Sequence, residues 1–309
     1  MQRNYIDQLK DILNATGWPQ VELAKNLGVT FAALNRWING RATPRPAARR
    51  MIDSLYKEKV GFLPLPKKNI KKLLRELDAE KRRHKNPYKL IKDSKNLRDD
   101  LLLELTYNST AIEGSTLTKK QTETIIFDKG HIPDKSYIEH LEATNHATAL
   151  EMIFEDSFTG PISEETIKRI HSIVLQGISP DAGKYSKHHR AIRGVDLALP
   201  APENIQEEMD HLIRTINKPK SHIAEYAAKM HAAFEAIHPF GDGNGRVGRL
   251  IMIIQFLGAG YVPCVIENSR KSEYYECLEF AQKRSETHLI KFIIESLFKG
   301  YQLIKKHKK

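Results

Sequence analysis

Residues 238–249 read His-Pro-Phe-Gly-Asp-Gly-Asn-Gly-Arg-Val-Gly-Arg. A helical pattern ends near Ala236, a loop supplies His238, Asp242 and three glycines in five positions, and a new helix is predicted to open close to Arg246. Glycine-rich backbone at a helix N-terminus presents unpaired N–H groups and the positive end of the dipole, so Gly243, Asn244 and Gly245 are expected to cradle an anion. Arg246 and Arg249, three apart on one helix face, can send guanidinium forks to successive phosphates. Asp242 offers the hard carboxylate oxygen that Mg²⁺ takes beside phosphate oxygens. His238, at the loop's entry, can accept a proton from an attacking hydroxyl when its imidazole is neutral. Taken singly these residues read as a glycine-rich turn with a surface histidine and solvated arginines; the combination points to nucleotide chemistry.

A second cluster lies in Ser109-Thr-Ala-Ile-Glu113-Gly114. Ser109 and Glu113 are four apart, on one face near a helix end, and Gly114 is a natural C-terminal cap. The elements that must position both clusters are almost all helical in pattern: about 97–108, 118–128, 135–155, 163–176, 202–216, 221–235, 246–258, 270–283 and 288–305. Between two of them, residues 184–200 carry Tyr185, Ile192, Val195 and Leu197 punctuated by Gly183 and Gly194, which predicts a β-hairpin or extended flap. The fold class expected is mainly all-α with that one small hairpin.

The segment 238–249 matches in full the motif His-x-Phe-x-(Asp/Glu)-Gly-Asn-Gly-Arg-x-x-Arg, and the chain therefore resembles the Fic family over most of residues 100–300. The resemblance implies an adenylyltransferase that moves AMP from ATP to a Ser, Thr or Tyr hydroxyl of a target protein. His238 would be the general base, Asp242 the Mg²⁺ ligand, Gly243, Asn244 and Gly245 the anion hole, and Arg246 and Arg249 the contacts to the outer phosphates, with Phe240 a core anchor. Tyr274, Tyr275 and Gln282 would line the nucleoside side, Gln282 standing where many members have Asn; Ser186 replaces an arginine common in the family's target-docking flap. Ser109-Thr-Ala-Ile-Glu113-Gly114 is similar to the family's inhibitory motif, (Ser/Thr)-x-x-x-Glu-(Gly/Asn), on a helix at about 100–114. Glu113 would pair with Arg249 and keep basal AMP transfer low; the same glutamate can also serve removal of AMP. Other donors, such as UMP or phosphocholine, and a transcriptional regulator whose domain only senses nucleotide, are the alternatives.

At the other end of the chain, helical patterns over about 5–16, 20–27, 30–38 and 46–56 are joined by Gly28-Val29 and closed by Asn39-Gly40. The pattern Gln20-x-x-Leu-Ala-x-x-Leu-Gly-Val resembles phage-repressor helix-turn-helix domains. In that resemblance Gln20, Thr30, Asn35 and Arg36 face DNA, but the base-reading positions Phe31, Ala32, Ala33 and Asn35 offer few hydrogen bonds, so sequence readout is expected to be weak, and a protein-interaction role is the alternative. Residues 1–57 thus form a DNA-binding-like domain, 58–98 a basic linker with one helix near 67–83, and 99–309 the Fic domain.

Charge follows this division. The net charge is +11, yet residues 1–98 hold 23 Lys/Arg against 9 Asp/Glu while the remainder holds 26 against 29, which places a polyanion-binding function in the first third. No apolar run reaches the roughly 20 residues of a membrane helix, and the N-terminus has no secretory h-region, so a cytoplasmic protein without membrane contact is expected, with homo-oligomers allowed. Two cysteines, Cys264 and Cys277, suit neither a zinc site nor a disulfide framework and are expected to be reduced, partly buried thiols.

Overall fold

The computed structural model describes residues 5–61, 65–155, 160–191, 197–283 and 285–307. The chain divides into two units, Met1–Leu65 and Pro66–Lys309. Among the described residues both are built from helices, and no strand occurs.

In the first unit, α1 (Tyr5–Thr16), α2 (Gln20–Asn26), α3 (Phe31–Ile38) and α4 (Pro46–Tyr56) are followed by a short π-helical turn, Lys57–Gly61. Apolar residues at helical spacing meet in one cluster: Leu9 and Ile12 from α1, Leu23 and Ala24 from α2, Leu34 and Trp37 from α3, and Ile52 from α4, together with Leu27. The turn between α2 and α3 needs Gly28 because its φ is +64°, in the left-handed region. Thr30 then caps α3 by accepting from the Ala33 N–H at 3.2 Å.

The second unit holds α5 (Lys67–Arg83), α6 (Pro87–Asp93), α7 (Lys95–Glu113), α8 (Lys119–Phe127), α9 (Tyr137–Glu155), α10 (Glu164–Val174), α11 (Ile205–Ile216), α12 (Ile223–Ile237), α13 (Asn244–Gly258), α14 (Lys271–Lys283) and α15 (Thr287–His307). α13 is apolar nearly all round, and Val247, Leu250, Ile251, Met252, Ile253, Ile254 and Phe256 are buried, so it becomes the central helix. α12, α10, α9 and α7 pack around it, while α14 and α15 lie behind α12.

Four differences from the sequence reading have local causes. The basic helix assigned to a linker, α5, buries Ile70, Leu74 and Leu77 in packing against α15 of the second unit. The pattern at 97–108 and the helix expected at about 100–114 are one element, α7, which runs through the Ser109–Glu113 cluster to Gly114, whose φ of +115° ends it. α13 begins at Asn244, two residues before the predicted start, because Gly243 already turns the chain with φ +77°. The predicted β-hairpin is not seen: residues 184–191 and 197–200 form no strand, and 192–196, with Ile192 and Val195, lie outside the described residues. Among the described residues the stretch is tied to the core by a backbone bond from the Ser186 N–H to the Pro239 carbonyl at 2.9 Å and by the Tyr185 ring, which lies against Phe240 and under Lys168 of α10.

Candidate active site at the α12–α13 loop

The loop joining α12 to α13 is braced from within. Asn244 donates from Nδ2 to the Phe240 carbonyl and accepts at Oδ1 from the Phe240 N–H, both at 2.9 Å, so its side chain copies a strand pairing and locks the loop. Phe240 is fully buried and stacks on His171 of α10 with ring centroids 3.7 Å apart. His171 accepts at Nδ1 from the Gly183 N–H at 2.8 Å, which leaves its proton on Nε2 to donate to the Asp242 carbonyl at 3.1 Å. Burial lowers the His171 pKa to about 4, so the ring stays neutral in this role. Gly243 has no room for a side chain, since a Cβ there would overlap Leu175.

On this frame His238 sits at the C-cap of α12 in the left-handed region, φ +50°, which turns its imidazole out of the helix register. Its Nδ1 is buried without a hydrogen-bond partner among the described residues and lies 3.8 Å from Glu235 Oε2. Burial lowers the His238 pKa; the Glu235 carbonyl acts against this and the Arg190 guanidinium adds to it. Glu235, one turn back, is itself enclosed, and burial together with the Glu113 charge pushes its pKa up to about 8.

Arg246 is 2 % exposed and donates from Nη1 to Glu142 of α9 at 2.7 Å and from Nη2 to Asp242 at 3.2 Å. Arg249 is 5 % exposed and is held by α7: Nε donates to the Ser109 hydroxyl at 2.9 Å, and Nη2 to the Ser109 carbonyl at 3.0 Å and to Glu113 Oε1 at 2.7 Å. Burial works against the Arg249 charge, yet Glu113, Tyr274 and Glu235 together hold its pKa above the ordinary value. The Glu113 carboxylate lies directly over the first turn of α13, so that a Cβ on Gly245 would overlap its Oε1. An acidic group thus stands at the N-terminus of α13, where the dipole and the first-turn N–H groups favour an anion.

The sequence-predicted residues fall into three groups. His238, Asp242, Gly243, Asn244, Gly245, Arg246, Arg249, Ser109 and Glu113 come together at one place, although α7 and α13 are far apart in sequence. Tyr274 is fully buried with its hydroxyl 2.5 Å from His231 Nε2, and Tyr275, more than a third exposed, donates to the Ile112 carbonyl at 3.2 Å and so ties α14 to the end of α7. Gln282, half-buried two turns further along α14, has no part in these contacts. In the first unit Asn35 Nδ2 donates to Gln20 Oε1 at 3.2 Å, joining the middle of α3 to the start of α2, and Arg36 follows on α3. Glu142, His171, His231 and Glu235 are the participants the sequence reading missed.

One carboxylate suits Mg²⁺ here: the Asp242 side chain is 65 % exposed beside the arginines, in keeping with an ion bound through one carboxylate plus phosphate oxygens. Among the described residues no group of three or more potential protein ligands forms a closed metal cage.

Residues 161–256 match the Fic/DOC family, and residues 9–48 match the helix-turn-helix family. Over residues 161–256 the chain is similar to Fic domains. Its relatives include proteins named protein adenylyltransferase Fic from Nematostella vectensis, 33 % identical over 193 residues covering 60 % of this chain and 45 % of that protein, and from Aedes aegypti, 28 % identical over 209 residues covering 65 % and 41 %. The chain therefore spans less than half the length of either relative. Among solved structures, a Fic domain-containing signaling protein from Bacteroides thetaiotaomicron is similar with a TM-score of 0.65 at 25 % identity, over 77 % of this chain and 99 % of that one. Fic-1 from C. elegans shares the fold with a TM-score of 0.67 at 22 % identity, over 93 % and 85 %. Among the described residues no helix is long and apolar enough to cross a membrane.

Proposed function

We propose that the chain is an autoinhibited protein adenylyltransferase that transfers AMP from ATP to a hydroxyl of a target protein. The observation that carries this reading is the placement of His238, with its pKa lowered by burial, at the mouth of a glycine-backed helix N-terminus flanked by two buried arginines. The names of the relatives support AMP as the group moved. ATP would lie with its phosphates against the first-turn N–H groups of α13, with Arg246 and Arg249 on the outer oxygens. The outward nitrogen of His238, Nε2, takes the proton of the target hydroxyl as the hydroxyl oxygen bonds to the α-phosphorus. The bond from that phosphorus to the bridging oxygen breaks, and pyrophosphate leaves with the electron pair. Asp242 would hold Mg²⁺, which neutralises charge on the phosphates when bound. The chain's own contribution is positioning and charge stabilisation; no covalent enzyme intermediate is needed.

Glu113 supports the inhibited resting state. Its carboxylate takes Arg249 and the space over Gly245, where a terminal phosphate would otherwise be received. The test is incorporation of label from α-labelled against γ-labelled ATP into lysate protein by Glu113→Gly and by Glu113→Gly/His238→Ala. Label from the α position alone, abolished in the double variant, is expected; γ-label, or α-label that persists without His238, would overturn the proposal.

A second reading concerns the first unit, which we propose engages duplex DNA. The Gln20–Asn35 bond and the Thr30 cap support it, because the first places a polar pair between the start of α2 and the middle of α3 and the second fixes the start of α3. Phe31, half-exposed beside them, supports weak base readout. Affinity that falls steeply with salt and ignores sequence is the expected result; no complex with any duplex at low salt would remove the reading.

A further inference from the structure

The outer face of α5 is the largest concentration of charge that neither reading uses. The helix carries eight lysines and arginines against three acids. Packing sorts them by side. Ile70, Leu74 and Leu77 form the buried stripe against α15. On its flanks Asp78 accepts from Tyr261 at 2.5 Å and lies 3.1 Å from His222, and Glu80 meets Lys305 at 2.9 Å, so two of the three acids are committed inward. Opposite the buried stripe, Lys68, Lys71, Lys72 and Arg75 are exposed, and Arg82 continues the line two turns on. Among the described residues the ion pair this row makes is Lys72 with Glu76, at 3.9 Å.

The geometry of this row selects a partner. With a rise of 1.5 Å per residue, Lys68 to Arg82 extends about 21 Å; from Lys68 to Arg75 the cations recur every three or four residues, about 5–6 Å apart, and Arg82 follows after a gap of two turns. A fixed line of cations at that interval suits a line of phosphates, and duplex DNA presents roughly one negative charge per 1.7 Å of axis. A lipid surface fits less well. Membrane-surface helices insert an apolar face beneath their basic one, and the apolar stripe of α5 is already spent on α15, leaving Ala79 as the apolar residue of the outer face.

We infer that the outer face of α5 is a phosphate-tracking surface through which the Fic-bearing unit itself contacts duplex DNA. The inference rests on the DNA reading of the first unit and extends it to the second. Because both surfaces belong to one chain, binding at either raises the effective concentration of DNA at the other. The affinity that α5 adds is indifferent to base sequence, since phosphates carry none.

The test uses the full chain and a fluorescent duplex of about 20 base pairs, titrated by anisotropy between about 50 and 200 mM salt. In Lys68→Gln/Lys71→Gln/Arg75→Gln, the slope of log affinity against log salt is expected to fall by about 3, one for each phosphate that is no longer neutralised, equally on unrelated sequences. Glutamine keeps helix propensity, so the melting temperature and the AMP-labelling rate of a Glu113→Gly background should not move. Lys68→Arg/Lys71→Arg/Arg75→Lys should keep the wild-type slope. An unchanged slope in the glutamine variant would overturn the inference while leaving the first unit's reading in place. Absence of any duplex binding by wild type would remove both, and binding of anionic vesicles in place of duplex would overturn it as well. In Gln20→Ala/Asn35→Ala, the slope owed to α5 should persist.

Discussion

Arg246 and Arg249 stand three residues apart on one helix, both almost wholly enclosed, and they are satisfied in opposite ways. Arg246 is paired with Glu142, which projects from the second turn of α9 and is 17 % exposed, and with Asp242 of its own loop. Arg249 is paired with Glu113, the last residue of α7, whose side chain is 29 % exposed and whose helix ends at once in Gly114. A buried guanidinium without a counter-charge is costly, so each needs its carboxylate in the resting state. The partner of Arg246 is part of the framework. That of Arg249 hangs from a helix terminus, and on the proposed function it gives way to a phosphate, so that the first pairing is framework and the second a switch.

The largest effect should come from the group both arginines serve. In a Glu113→Gly background, His238→Ala is expected to cut AMP incorporation by about 10²–10⁴-fold while ATP binding, measured by calorimetry, persists. With His238 in place, activity should fall only when acid protonates the imidazole, and since burial lowers its pKa that limb lies below the ordinary histidine value of about 6.5. Next in size is Glu142→Gln, which takes from the enclosed Arg246 the closer of its two carboxylates and leaves Asp242 at 3.2 Å. The cost should be about 1–3 kcal/mol and the melting temperature should drop by several degrees, whereas Glu113→Gln, at a partly exposed helix end where water or a bound anion can take the place of the carboxylate, should lower it less. Equal destabilisation by the two substitutions would erase the distinction between framework and switch. Ser109→Ala removes one hydrogen bond from Arg249 while the Glu113 pair remains, so labelling should rise by no more than about tenfold.

The smallest effect tests the enclosed acid behind His238. Glu235 keeps its proton up to about pH 8 in the folded chain, while an unfolded glutamate, with its ordinary value of 4.5, has long since ionised. The folded state therefore binds the extra proton across that window, and stability falls as pH rises through it. Glu235→Gln should flatten this slope, visible as a difference of a few degrees in melting temperature between pH 5 and pH 8.5.

What could be read from the sequence was whatever chemistry is written locally. The loop 238–249 and the Ser109–Glu113 spacing each place their donors within one or two turns, so residue type and interval were enough. Glu142 could not be found that way: it meets Arg246 across 104 residues, on a helix where any exposed acid would look the same. His171 was hidden for the same reason, because its tautomer and its hold on Asp242 depend on Gly183 and Phe240, which the fold supplies. The hairpin expectation came from Tyr185, Ile192, Val195 and Leu197 in a glycine-punctuated run. That composition marks a non-helical stretch without fixing its pairing, and Ser186 bonds to Pro239 of the catalytic loop in place of a neighbouring strand. The basic composition of α5 masked its buried Ile70, Leu74 and Leu77, which is why a packed helix read as a linker.

The pairing at the centre of this account is Glu113 on Arg249, and the direct measurement is the initial rate of AMP incorporation from α-labelled ATP by Glu113→Gly beside wild type. Removing a charge-assisted hydrogen bond of about 1.5–3 kcal/mol that opposes nucleotide binding predicts a rise of roughly 10- to 150-fold. Equal rates in the two proteins would contradict it and would make Glu113 a cap on α7 and nothing more.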